Sequence, residues 1–98
     1  MQPVVPEHPE ALPAAIEELI CAYDWDCGTA LRVADCESRM DPGAVGWTGE
    51  SFGLFQIYAP VWAHVFPDFW EMWGDPDWNT SHGYIIWQRS GWGAWDCY

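Results

Sequence analysis

Apolar residues recur at helical spacing in the first quarter of the chain, where Ile16, Leu19, Ile20 and Tyr23 form one stripe. Prolines near the start of that stretch suit a first helical turn, so a packing helix is expected over residues 9–23. A turn over residues 24–28 should follow, and Thr29 then stands where a cap belongs for a second helix. In that helix Leu31, Ala34, Val33 and Glu37 repeat with helical period, which places Glu37 near its C-terminal end, before Asp41, Pro42 and Gly43 break the chain. Residues 51–57 read as partly extended. Beyond them, Pro60 with Trp62, Val65 and Phe66 predicts a short helix, and residues 69–73 add another turn. A loop is expected over residues 74–78, then a helix capped by Asn79, running to about Arg89 and stopped by Gly91. No internal repeat interrupts this order, and linker-like composition is confined to residues 1–9, leaving residues 10–98 as one domain.

A chain of 98 residues, half of them apolar, supports one modest core and little else. No apolar run approaches the ~20 residues of a membrane-crossing helix. The first residues lack the basic and long apolar regions of a secretory signal, so the chain carries no address of its own and reads as a domain cut from a longer precursor or virion protein, or as a mature sequence with an added Met1. The formal charge of −12, with three arginines and no lysine, leaves nothing to neutralise a run of phosphates and argues against nucleic acid and anionic membranes alike. Long-range attraction to any anionic polymer is also excluded, so binding has to rest on short-range contacts.

Cys21, Cys27, Cys36 and Cys97 allow two disulfides or one metal site. Their uneven spacing, without a close Cys-x-x-Cys pair, favours disulfides and therefore an oxidising compartment. His8, His64 and His82 have no metal-like spacing either, so no metal or cofactor is expected and each histidine reads as a surface or packing residue.

Glu37 is the candidate for chemistry. A carboxyl at a helix C-terminus feels the negative end of the macrodipole, and aromatic neighbours would strip water from it; both raise its pKa toward the value a general acid needs near neutrality. Among nearby acids, Asp41 suits capping its own Asp-Pro turn, Asp35 falls on another helix face, and Glu50 is the one realistic second carboxylate. Gly46, Gly49 and Gly53 around Trp47, Thr48, Ser51 and Gln56 allow backbone to approach a ligand closely. Thr48 and Ser51 can bond a sugar or hold their own turns. Nine tryptophans exceed the needs of so small a core; Trp62, Trp87 and Trp95 have apolar company and are expected to be buried, whereas Trp47 and Trp92, beside glycines, are the candidates for stacking on sugar rings.

Three blocks taken in order, Glu37-Ser-x-x-x-Pro-x-Ala44, Gly53-Leu-Phe-Gln-Ile57 and Asn79-x-x-x-Gly83, resemble the lytic transglycosylase and goose-type lysozyme group of the lysozyme superfamily. The cysteine before Glu37 and the closing Gly91-Trp-Gly-x-Trp-x-Cys97 are similar to resuscitation-promoting factor domains and related phage wall hydrolases. The resemblance covers about residues 30–97. It implies a mainly α, lysozyme-like α+β fold with a minimal strand region beside a substrate groove, and the pairings Cys36–Cys97 and Cys21–Cys27. It further implies a cofactor-free, monomeric enzyme acting outside the cytoplasm, at the cell wall or on a virion, on peptidoglycan glycan strands. Glu37 would be its acid, and Gln56 a substrate-contacting amide or one that merely bonds loop backbone. Tyr84 is carried over as a substrate contact, although the place of the family's tyrosine is here Ile86. Two other classes stand beside this one: a catalytically silent glycan-binding module using the same groove, and a secreted interaction domain whose tryptophans bind protein.

Overall fold

The computed structural model describes residues 13–98, with side chains from residue 15 onward. The expected linker over residues 1–9, His8 and any helix before Pro13 lie outside them. The described chain is mainly helical with one small hairpin. Helix α1 spans Pro13–Ile20, α2 spans Cys27–Ser38, strands β1 Ser51–Phe52 and β2 Ile57–Tyr58 pair antiparallel, and two four-residue helices follow, α3 Ala59–Trp62 and α4 Phe69–Met72. The longest helix, α5, spans Pro76–Ser90 and runs into a 3-10 turn at Gly91–Ala94.

Helix starts follow side-chain chemistry, at two places other than those expected. Asp26, not Thr29, caps α2: its carboxylate accepts from the Thr29 N–H at 2.9 Å and from the Thr29 hydroxyl at 2.7 Å, so Thr29 lies inside the first turn. Helix α5 starts before Asn79, because Asp75 accepts from the N–H groups of Asp77 and Trp78 and Pro76 fills the first helical position; the expected loop over 74–78 is therefore partly helix. Tyr23 falls beyond α1, in the turn. Helix α2 ends abruptly at Arg39 and Met40, both left-handed with φ of 58° and 62°.

Freed from capping, Asn79 is fully buried and braces the hairpin. Its side-chain oxygen accepts from the Phe55 N–H at 2.8 Å, and its nitrogen donates to the carbonyls of Phe52 and Trp73 at 3.1 and 3.0 Å. Gly53 makes this approach possible. It has φ of 83°, and a Cβ there would meet the Asn79 amide and stand 2.6 Å from the Trp73 carbonyl.

The core joins Ile16 and Ile20 of α1, Ala30, Val33 and Ala34 of α2, Leu54, Phe55 and Ile57 of the hairpin, Phe69, and Trp78 and Ile86 of α5. Phe55 sits at its centre against Trp25 and Trp95, and helix α5 admits it because position 83 is glycine: a Cβ there would lie 3.3 Å from the Phe55 ring. Trp25 and Trp95 are buried with indole N–H groups satisfied by the Ile20 and Phe55 carbonyls. All four cysteines are in disulfides, Cys21–Cys27 and Cys36–Cys97, which removes the thiolates as metal ligands. Among the described residues no helix is long and apolar enough to cross a membrane.

Replacing Asn79 with Ala strands buried polar groups on three segments at once, and should lower unfolding free energy by about 3 kcal/mol in a urea melt. Opening Cys36–Cys97 with paired serines should cost roughly 4 kcal/mol in the chain-entropy model, against about 2 for Cys21–Cys27, because it closes much the longer loop.

Candidate active site

Glu37 is the penultimate residue of α2, one position before Ser38, whose hydroxyl donates back to the Ala34 carbonyl at 3.0 Å. Its carboxyl is half-buried in the wall shared by two adjoining depressions of about 570 and 400 Å³. Both are lined by Glu37, Ser51, Gln56, Tyr58 and Asp96. The larger extends over Arg39, Val45, Gly46, Trp47, Thr48 and Glu50, and the smaller over Trp62, Ala94 and Trp95.

The Cys36–Cys97 bridge determines what Glu37 meets. By tying the last turn of the chain to α2, it brings the Cys97 N–H to 3.2 Å from one carboxyl oxygen and sets Asp96 beside it. Loss of water raises the Glu37 pKa above the ordinary glutamate value, the Cys97 N–H opposes that shift, and the neighbouring Asp96 charge adds to it. Arg39 lines the same depression, yet it is not among the groups that move the Glu37 pKa.

The floor opposite Glu37 comes from the hairpin. Gln56 holds φ of 48°, and its amide nitrogen donates to the carbonyls of Ala44 and Gly53 at 3.1 and 3.0 Å, so it pins the 44–53 loop while facing both depressions. The Gly46 N–H donates to the Ser51 carbonyl at 2.8 Å and the Gly53 N–H to the Ala44 carbonyl at 2.8 Å, which closes that loop on itself. Arg39, Met40 and Gln56 are the non-glycine residues with positive φ among the described residues, and two of them line the cleft; such backbone persists where its surroundings over-determine it.

Most of the sequence candidates meet here. Glu37, Gln56, Trp47, Thr48, Ser51 and Glu50 share the larger depression, with Trp47 97% exposed and free to offer its face. Asp41 caps its own turn, accepting from the Gly43 N–H at 2.9 Å, and Asp35 is exposed away from the cleft.

Two candidates do not. Tyr84 lies on the α5 face that packs on Tyr23 and Trp87, with its hydroxyl donating to Asp24, and lines neither depression. Trp92 is stacked on Trp25 at 5.4 Å and on Tyr98 at 6.1 Å, closing the core rather than facing a ligand. Its flanking glycines serve the tight 3-10 turn. Conversely, Trp62 and Trp87 are only half-buried, and Trp62 stacks on Phe66 and lines the smaller depression. Tyr58 and Asp96 were missed. Alternation in β2, with Ile57 buried and Tyr58 exposed, carried a signal for Tyr58; nothing local could have marked Asp96, whose position depends on the disulfide beside it.

Comparison with protein-family models, with curated proteins and with solved structures finds no match to this chain, so the chemistry rests on the residues themselves.

Proposed function

We propose that this domain cleaves the glycan strands of bacterial peptidoglycan at the β-1,4 bond between N-acetylmuramic acid and N-acetylglucosamine, outside the cytoplasm, on a framework of lysozyme-like kind. The observation that carries the reading is a half-buried carboxyl, its pKa raised by loss of water, in the wall common to two adjoining depressions. A sugar strand lying through both places a bridging oxygen at that wall, and a general acid must hold its proton there until the leaving oxygen takes it. Trp47, Tyr58 and Trp62 supply aromatic faces for the rings on either side. Recognition through stacking and short hydrogen bonds suits a surface too acidic to attract an anionic wall from a distance.

After protonation by Glu37, positive charge grows on the sugar ring. Two routes dispose of it. The substrate's own N-acetyl group shelters the cation and Glu37, now a carboxylate, takes a proton from the muramic 6-hydroxyl as it closes an anhydro ring; or the same carboxylate activates water and leaves a reducing end. In either case Asp96 acts on Glu37 by its charge. Mass spectrometry of products from purified peptidoglycan separates the routes, and absence of any fragment indicates a binding role instead.

Replacing Glu37 with Gln should lower cleavage by about 10³-fold. The same change should raise the melting temperature at neutral pH and leave it unaltered in acid. Glu37 has a raised pKa in the fold, so the folded state holds the extra proton; its contribution is present below the unfolded pKa and lost as pH rises through the folded one. Loss of activity with a gain in stability would show that the carboxyl does chemistry and not scaffolding. Replacing Asp96 with Asn removes a charge that favours the protonated acid, and should move the alkaline limb of the pH–rate profile to lower pH.

A further inference from the structure

Behind the loop that forms one lip of the cleft lies a separate open depression of about 360 Å³, lined by residues that the cleavage chemistry leaves unused. Trp70 forms one wall. Its indole is 60% exposed yet held in place, edge-on to Phe52 at 5.3 Å and to Phe69 at 4.9 Å. Pro60 and Ala63 make an apolar side, and the ionisable side chains of the lining are Glu50 and His64. Glu50 also lines the larger cleft depression, so the two spaces meet across a single residue.

The lining selects a ligand by exclusion and by attraction. The one fixed charge bordering the space is the Glu50 carboxylate, with the His64 imidazole beside it and no arginine, so a cation is the better fit. A sugar would want several donors and acceptors in place of mostly apolar walls. An aliphatic chain ending in an ammonium group suits the apolar side, the indole and the carboxylate together: its methylenes lie on Pro60 and Ala63, its charge over the Trp70 face and against the Glu50 carboxylate. On the reading of the cleft given above, such a group is tethered nearby, because each muramyl residue of the strand carries a peptide stem containing a diamino acid.

We propose that this depression binds the free amino-terminated side chain of the peptide stem attached to the muramyl sugar in the cleft, through Trp70 and Glu50. The domain then prefers strands whose stems are not cross-linked, since cross-linking turns that amine into an uncharged amide.

The test compares KM for cleavage of three soluble substrates: glycan chains with free-amine stems, the same chains after N-acetylation of the amine, and chains stripped of stems. The wild-type domain should show a KM about fivefold lower for the first than for the other two. Trp70→Ala should erase that difference while leaving cleavage of stem-free chains unchanged, and Trp70→Phe, which keeps an aromatic face, should retain most of it. Equal KM on all three substrates overturns this proposal alone, as does a Trp70→Ala variant that loses activity equally on all three. Failure to cut any of them overturns the catalytic reading and this inference with it.

Discussion

The tie between Cys36 and Cys97 is the constraint on which the cleft depends. One cysteine precedes Glu37 on α2 and the other ends the 3-10 turn's exit, so a single bond lays the C-terminal residues across the end of the helix. That placement does three things to one carboxyl. It helps exclude water, supplies the Cys97 N–H as a donor, and sets the Asp96 charge close by. Burial and like charge outweigh the one donated hydrogen bond, so the carboxyl's pKa lies above the ordinary glutamate value.

A second brace faces the first. Asn79, buried on α5, fixes Phe52 and Phe55 on either side of Gly53 and so determines where the hairpin presents Gln56, Ser51 and Tyr58. Gln56 in turn grips Ala44 and Gly53, and the loop bearing Trp47 and Thr48 closes on Ser51. Acid and opposing wall are thus positioned by covalent and buried polar contacts, while the aromatic faces stay open to solvent. Rigid polar groups and exposed rings together suit the sugar strand proposed above.

Much of this was legible in the sequence because the signals were local. Helical spacing ending at Asp41, Pro42 and Gly43 placed Glu37 near a helix end, and glycines around residues 46–53 marked a close-packed loop. The caps differ from the sequence expectation because an aspartate stands just upstream of each expected residue: Asp26 lies before Thr29, and Asp75 with Pro76 before Asn79, and each carboxylate reaches N–H groups of the first turn. Trp92 and Tyr84 were misplaced because neighbouring glycines and motif spacing say little about which way a ring turns. Their orientation follows from Trp25, whose buried indole gathers both. Asp96 carries no such local signal, since it stands far from Glu37 in sequence and comes beside it only once the bridge forms.

The central claim is that Glu37 keeps its proton at a pH where an ordinary glutamate has lost it. Titration of its side-chain carboxyl by ¹³C NMR in the oxidised domain reads this directly. Its midpoint should lie above the ordinary glutamate value. A midpoint at or below that value would contradict a Glu37 that holds its proton longer than a free glutamate.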